Sequence, residues 1–491
     1  MAMEVNIPGL GNDLLDMVRI TDNGEFTFPA SEEITSGDLL NAVDYHRNHL
    51  RPKYEKEYQY YRGKHDILSA APKAEYKPDN RIVFNFPKKA VTTFNGFFIG
   101  NPVKVDHDDD TVDEFVEKWD ALSNFEDVSS EVSKQSSMYG HSYFFVYQSE
   151  ETDSNQYSHP KVAAVSPMNA FLIYDDSFEH KARYGVMYRY NYKHELEITL
   201  FDKSFKRELI SSSLSNDYLD QARVTANPYP LVPLIEVTEN NERMALCEDI
   251  ITIIDALNKA MSEKANDNDY FADAMLKIVN ARINPEDMKK MRENRLINAT
   301  GEAAGKSEIG YLAKPDADAT QEHLIDRLAS SIYEMSNITN LNDESFSGNP
   351  SGVSLRLKYQ AMENMARTKS LKFTTALRQV FRCVFSVSYN EVNANGWEDL
   401  QFKYTQSIPE NLLEEAQAAS ALYGKISNRT LFKQLRFIDD PDAELEQIKK
   451  EQQETQGMAS DMLQKSLTDQ QKAGVTDDNR TTGKSTDTPT H

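Results

Sequence analysis

The chain has 491 residues, 54 Lys and Arg against 78 Asp and Glu, and a formal net charge of −24 at pH 7. That balance excludes a free-standing protein that grips nucleic acid by attraction, since such proteins neutralise phosphates with basic patches. It is compatible with a chain that must not adhere to nucleic acid passing close by. Hydrophobic residues at 39% suffice for sizeable cores, and the length suggests roughly three structural units.

The first forty residues are mixed and loop-rich. From Ser36 to Tyr61 the pattern turns helical and tyrosine-rich, with Gly63 a C-terminal cap. "RIVFNFPKKAVTTFNGFFIGNPVKV" then predicts a short strand, a helix that Pro87 can start and a turn at Gly100-Asn101-Pro102. An acidic cluster, Asp106 to Glu114, leads into an amphipathic helix with Phe115, Trp119 and Leu122 on one face.

From His141 the period drops to two. "SYFFVYQ", "KVAAVSPMNAFLIYDD", "YGVMYRYNY" and "ELEITLFD" predict a largely antiparallel β region that the prolines of "NPYPLVPLIEV" end. Helices follow. Leu246, Ile250, Ile253, Ile254, Leu257 and Met261 recur at three- and four-residue spacing, as do Leu324, Ile325, Leu328, Ile332 and Met335. The two predicted helices flank a compact insertion at 279–317, so the pattern reads as a stalk with a tip.

The stretch "SFSGNPSGVSLRLK", 345–358, is a small-residue loop running into a helix that extends towards Asn390. Such loops can cradle phosphate through free backbone N–H groups. The helix is cationic for so acidic a chain: Arg356, Lys358, Arg367, Lys369, Lys372, Arg378 and Arg382 stand against Glu363. Its cations either pair with acidic surfaces of neighbouring segments or subunits, or lie near a nucleic-acid backbone. A β-like stretch "DLQFKYTQSIP", helices at 410–423 and 427–436 and a polar tail, expected to be disordered from about 455, complete the chain.

Chemical motifs are weak. "GEAAGKSEIG" at 301–310 imitates a phosphate-binding P-loop, but three residues separate Gly301 from Gly305 where four are required. "FLIYDD", the apolar strand ending in acids that would hold the metal, precedes that loop when it should follow. The carboxylates at Asp106–Asp110 and Asp267–Asp269 lack the glycine and distal glutamate of a calcium loop. His141 reads as structural. No catalytic residues, metal ligands or cofactor are expected. Cys247 and Cys383 are too few and too distant for a disulfide framework, which suits a reducing compartment. No apolar run approaches the roughly 20 residues of a membrane helix, and "MAMEVNIPGLGNDLLD" lacks signal-peptide character. The expectation is a soluble, intracellular chain with no membrane partner.

In their order, "YYRGKHDIL", "RIVFNFPKKAVTTFNGFFIGNPV", "YGHSYFFVY", "NPYPLVPLIEV", "DIITIIDALNKAMSEKANDNDYFADAML" and above all "GNPSGVSLRLKYQAMENMARTK" resemble the portal proteins of tailed bacteriophages, in the compact siphovirus-type branch. The likeness spans about residues 45 to 390. It implies an α+β, mainly helical portal fold and a ring-forming subunit. The divisions would be an N-terminal arm (1–40), an α/β wing (41–244), a stem helix (245–278), a small α/β clip (279–317) and a second stem helix (318–340). A tunnel loop (341–353), a tunnel and wing helix with its joint (354–407), a helical crown (408–451) and the tail (452–491) would follow.

By the same resemblance, the ring, expected to be a homododecamer, would sit at one capsid vertex of the virion after assembly in the host cytoplasm. Double-stranded DNA would be packaged, retained and ejected through it without sequence specificity. Asn342, Asp343, Ser345, Phe346, Ser347, Gly348, Asn349, Ser351, Gly352, Arg356 and Lys358 would line the channel. Asn284, Lys289, Lys290, Arg292, Arg295 and Lys306 of the clip would meet the terminase large subunit and, later, a head-completion adaptor. Major capsid and scaffolding proteins would be further partners. A packaging NTPase and another minor connector protein are the alternatives.

Overall fold

The computed structural model describes residues 13–455 apart from 16, 76, 153–157, 212–221, 273–275, 280–307, 312–317, 341–351, 389–390, 407–416, 418, 436–437, 439–440 and 442. It is a mixed helix-and-sheet structure. Two units separate by their contacts, Met1–Ile408 and Pro409–His491.

The larger unit begins with three short strands, β1 (Asp13–Leu15), β2 (Val18–Ile20) and β3 (Phe26–Phe28). The sequence reading treats these residues as a loop-rich arm. The structure instead builds them into the edge of an eight-stranded sheet, because Phe26 and Phe28 bury completely against later strands. Helix α1 (Ser36–Tyr45) opens on a reciprocal cap, with Thr35 Oγ1 accepting from Asp38 N–H (3.2 Å) and Asp38 Oδ2 accepting from Thr35 N–H (3.1 Å). A π turn at His46–Leu50 carries it into α2 (Arg51–Tyr61). Gly63 stops α2 at φ +76°, with Gly63 N–H on Tyr60 O (3.0 Å) and Lys64 N–H on Gln59 O (2.8 Å). These two bonds close the last turn's open carbonyls.

Helix α3 (Phe86–Ile99) carries Pro87 in its first turn, and β4 (Lys104–Asp106) follows. Helix α4 (Asp110–Ser123) buries Phe115 and Trp119 but leaves Leu122 exposed, so Leu122 does not belong to the apolar face assigned to it. Helix α5 (Phe125–Tyr139) ends at Gly140, φ +84°, where an added Cβ would lie 2.2 Å from Arg243 O. No side chain fits there.

Strands β5 (His141–Thr152), β6 (Ser158–Val165), β7 (Ala170–Asp175), β8 (Ala182–Tyr190), β9 (Leu196–Phe201), β10 (Phe205–Ser211), β11 (Arg223–Ala226) and β12 (Leu234–Thr238) complete the β region. The large sheet runs β1-β2-β3-β7-β8-β9-β10-β11, antiparallel except for β3 beside β7, and a second sheet runs β12-β5-β6. The prolines before β12 therefore do not end the β region. They deliver the chain to the far edge of β5.

Strand β7 is buried on both faces. Phe171 and Ile173 face α1 in one core, while Ala170 and Leu172 meet Leu234 and Tyr143 between the sheets. That double cover is why "AFLI" is continuously apolar.

Helix α6 (Ile251–Ala272), strands β13 (Leu276–Val279) and β14 (Glu308–Tyr311), and helix α7 (Asp318–Ser336) come next. Helix α8 (Gly352–Val387) is one continuous rod of 36 residues, about 54 Å long. Its inner face, including Phe373, Leu377, Phe381 and Phe385, is the axis of the largest core, joined by α3, α4, α5 and α6. Strand β15 (Gln401–Lys403) pairs with β4. In the second unit, α9 (Asn428–Gln434) is capped by Ser427 Oγ, which accepts from Thr430 N–H at 3.3 Å.

Candidate functional site

The clip residues Asn284, Lys289, Lys290, Arg292, Arg295 and Lys306 lie outside the described residues, as do Asn342, Asp343, Ser345, Phe346, Ser347, Gly348, Asn349 and Ser351. Gly352 opens α8, Arg356 stands in its first turns and Lys358 is half-buried. What the structure defines is how the two ends of 341–351 are held. Thr339 Oγ1 donates to Lys358 O at 3.0 Å, and Thr339 N–H points at Met362 Sδ at 3.3 Å. Tyr359 stacks on Phe97 of α3, ring centroids 5.8 Å apart. On the α7 side, Tyr333 takes Phe86 edge-on at 5.1 Å and accepts from Lys89 Nζ at 2.6 Å. The described residues on either side of 341–351, Tyr333 and Tyr359, thus both pack on α3.

The cations of α8 mostly brace this chain. Lys369 is fully buried: Nζ reaches Glu239 Oε2 and Ser137 Oγ, both at 2.7 Å, and Ser133 O at 2.9 Å. It also sits 5.3 Å over the rings of Phe94 and Phe98. Burial pulls its pKa below the ordinary lysine value, and the Glu239 carboxylate opposes that shift. Arg378 donates to Glu398 O at 3.1 Å and lies over Phe402, while Arg382 lies over Trp397. Lys372 bonds Asn241 Oδ1. Arg367 is exposed. Of these cations Lys369 pairs with an acid of the same chain, while Lys372, Arg378 and Arg382 contact an amide oxygen, backbone carbonyls and an aromatic ring.

The connection from β12 to α6 carries a second buried ion pair that sequence reasoning missed. Arg243, held at φ +56°, places Nη2 at 2.5 Å from Glu236 Oε1 and Nη1 at 3.4 Å from Glu25. Tyr174 OH donates to the other Glu236 oxygen at 2.6 Å. The readable trace was a single glutamate inside the apolar strand "LIEVT", a charge that needs a partner wherever the strand is buried.

Helices α6 and α7 pack side by side through Ile325, Leu328 and Ile332, with Lys264 bonded to Glu322 and Gln321 to Asp267 (3.2 Å). Their far ends are joined by the antiparallel ladder of β13 and β14. Asn258, Ser262 and Asn266 form a buried polar stripe on α6. They accept from Phe84 N–H (2.8 Å), Ile82 N–H (2.9 Å) and Asn80 N–H (2.6 Å). Four helical residues rise about 6 Å and two extended residues about 6.6 Å, so the two repeats match. The stretch "RIVF" consequently is not a strand in any sheet. Its partner is a helix.

The acids of "FLIYDD" serve turns. Asp175 Oδ1 accepts from Ser177 N–H (3.1 Å) and Lys181 N–H (3.2 Å), and Asp176 accepts from Ala30 N–H (2.9 Å). Asp109 caps α4, and Asp106 pairs with Lys403. Among the described residues no group of three or more His, Cys, Asp and Glu could hold a metal ion, and no helix is long and apolar enough to cross a membrane. His141 is buried between Tyr54 and Tyr143, and burial holds it well below its usual pKa.

The family model for the phage portal protein, SPP1 Gp6-like, matches residues 40–458. Two curated proteins named portal protein are similar to the chain. That of Clostridium phage phiCD119 is 22% identical over 411 residues, 78% of this chain and 88% of that protein. That of Bacillus phage SPP1 is 22% identical over 413 residues, 79% of each. Among solved structures, the neck of an empty GTA particle computed with C6 symmetry aligns at TM-score 0.41 and 11% identity. The alignment covers 70% of this chain and 88% of that one.

Proposed function

We propose, from the premise that this chain belongs to the SPP1 Gp6-like phage portal protein family, that it forms a ring-shaped channel at one capsid vertex through which double-stranded DNA is packaged, retained and ejected. The observation that carries this reading is the match across 40–458, most of the folded chain. The protein is a structural component of the virion, at the junction of head and tail. In this reading α6 and α7 are the stem, the β13–β14 ladder is the root of the clip, and 341–351 is the tunnel loop. Terminase and then a head-completion adaptor dock on the clip.

The channel reading also accounts for the composition of the loop. A moving duplex must not be gripped, because each neutralised phosphate adds an attractive, salt-dependent term that a ring multiplies. Ser, Gly and Asn give weak and adaptable contacts to the backbone. The flanking Tyr333 and Tyr359 pack on α3, and Lys369, Lys372, Arg378 and Arg382 further along α8 contact Glu239, Asn241 and the 396–402 segment.

The test is packaging itself. Proheads assembled with this protein should protect added DNA from nuclease when terminase and ATP are supplied, and proheads assembled without it should not. Equal protection in both would overturn the reading.

A further inference from the structure

Connecting segments ordinarily run over the surface and keep their backbone groups in water. The connection from β12 to α6, residues 239–250, is instead bonded to elements distant in sequence on every side. Glu239 N–H donates to Gly140 O at 2.8 Å and Leu246 N–H to Ser137 O at 2.9 Å, which holds it on the end of α5. The Lys369–Glu239 pair and the Lys372–Asn241 bond hold it on α8. From the β2–β3 turn, Glu25 pairs with Arg243 at 3.4 Å and Asn23 Nδ2 donates to Asn241 O at 3.3 Å. Lys53 of α2 pairs with Glu248 at 2.8 Å.

Its internal conformation is fixed as firmly. Asn240 closes a turn on Met244, with Oδ1 accepting from Met244 N–H (2.8 Å) and Nδ2 donating to Met244 O (2.9 Å). Inside that turn Arg243 stands at φ +56°, a strained setting that persists only where the surroundings over-determine it. The attachment continues along α6, whose Asn258, Ser262 and Asn266 accept from the backbone of 80–84. Beyond Asn266 its character changes. Asn268, Asp269 and Tyr270 are exposed. The bonds there include an exposed one from Asn80 Nδ2 to Asp269 (2.5 Å) and that from Gln321 of α7 to Asp267. Exposed bonds compete with water and add little restraint.

We propose that 239–266 is a rigid joint that fixes the root of α6 to α8, α5 and the β2–β3 turn, and that bending of the α6–α7 pair starts beyond Asn266. One helix then carries two stretches of unequal resistance, and it yields where buried side bonds give way to exposed ones. In the channel reading, a displacement of 341–351 reaches the root of α6 through α8 and Lys369, while the β13–β14 end stays free to tilt. That consequence rests on the channel reading, and the joint itself does not.

Distances between spin labels in the full-length protein test it, with labelled copies diluted in unlabelled protein. The native Cys247 and Cys383 are buried, and Leu371 of α8 and Lys259 and Asn268 of α6 are exposed. Leu371→Cys with Lys259→Cys should give one narrow distance distribution. Leu371→Cys with Asn268→Cys should give one about twice as broad. Arg243→Gly with Glu236→Gln suits the backbone angle, removes a buried pair as a whole and cuts the link to Glu25, so it should broaden the Lys259 distribution. A broad or two-peaked Lys259 distribution in the parent background would overturn the joint. Equal widths for the two pairs would overturn the bend beyond Asn266. A Lys259 distribution that stays narrow with Arg243→Gly and Glu236→Gln would overturn the part given to Arg243. Should that variant fail to fold, the two pairs in the parent background still decide both claims. Both labels lie in one copy, so a protein that never closes into a ring would bring down the channel reading and leave this test intact.

Discussion

Lys369 Nζ and Glu239 Oε2 lie 2.7 Å apart with both side chains buried, joining the middle of α8 to the turn that leaves β12. Glu239 also accepts from Ser136 and Ser137 Oγ at 3.1 Å each, so the pair ties α5 into the same junction. A buried pair is weak evidence for net stability, because desolvating two charges offsets most of their attraction. Removing one partner is a different matter. Lys369→Met should destabilise the protein by about 3–5 kcal/mol in urea titration, since it strands a buried carboxylate. Lys369→Met with Glu239→Gln should recover most of the loss. An unaltered urea midpoint for Lys369→Met would show that the pair is not buried.

A second prediction concerns the helix-to-strand match on α6. Asn258→Ala leaves Phe84 N–H without its acceptor and His65 Nδ1 without its 2.8 Å contact. A loss of about 1–3 kcal/mol is expected for unsatisfied buried polar groups. Amide exchange at Ile82 and Phe84 should quicken well beyond that of core amides in β5. Exchange at Ile82 and Phe84 indistinguishable from the parent would contradict the side-chain ladder.

The pH dependence has two limbs of opposite sign. Glu57 is buried with neither carboxylate oxygen paired, and burial raises its pKa from 4.5 to about 8, with Lys53 opposing and Glu248 adding to the shift. The folded state then holds a proton that the unfolded chain has released, so stability falls as pH rises from 4.5 to 8. His46 behaves in reverse. Burial and the nearby Arg243 and Arg51 push it from 6.5 to about 3, so the unfolded chain takes up a proton first and stability falls as pH drops from 6.5 to 3. Glu57→Gln should flatten the first limb, its advantage over the parent growing from pH 4.5 to 8. His46→Phe should flatten the second. Melting temperatures across pH 3 to 8.5 check both, and parallel curves for parent and Glu57→Gln would refute the first assignment.

Deleting Ser347 to Gly352 should block DNA packaging while leaving assembly intact. The contacts that hold the flanks, Thr339 to Lys358 and Tyr359 to Phe97, lie outside the deletion. Nuclease-protected DNA per prohead is the readout, beside particle counts in electron micrographs. Undiminished packaging would remove 341–351 from the channel.

Much of the helical framework is legible locally, because periodic leucines and isoleucines mark α6 and α7, and Pro87 and Gly63 mark helix ends. The order of short motifs carries the family. What escapes is whatever depends on partners distant in sequence. Phe26 and Phe28 look like loop residues until β7 supplies a neighbour. The arginines and lysines of α8 leave pairing with an acidic segment and contact with a nucleic-acid backbone both open in the sequence, because Lys369's partner is a glutamate 130 positions earlier. "RIVF" has strand composition and extended shape, but its hydrogen-bond partners are the asparagines and serine of a helix. Leu324 and Met335 belong by spacing to the inner face of α7. The two-helix packing leaves them outside, because Ile325, Leu328 and Ile332 fill the contact with α6.

The most direct measurement is an averaged electron-microscopy view of the purified full-length protein down its symmetry axis. The account predicts a closed ring of identical subunits around a hole wide enough for a DNA duplex. A compact single subunit with no central opening, at every concentration tried, would contradict it.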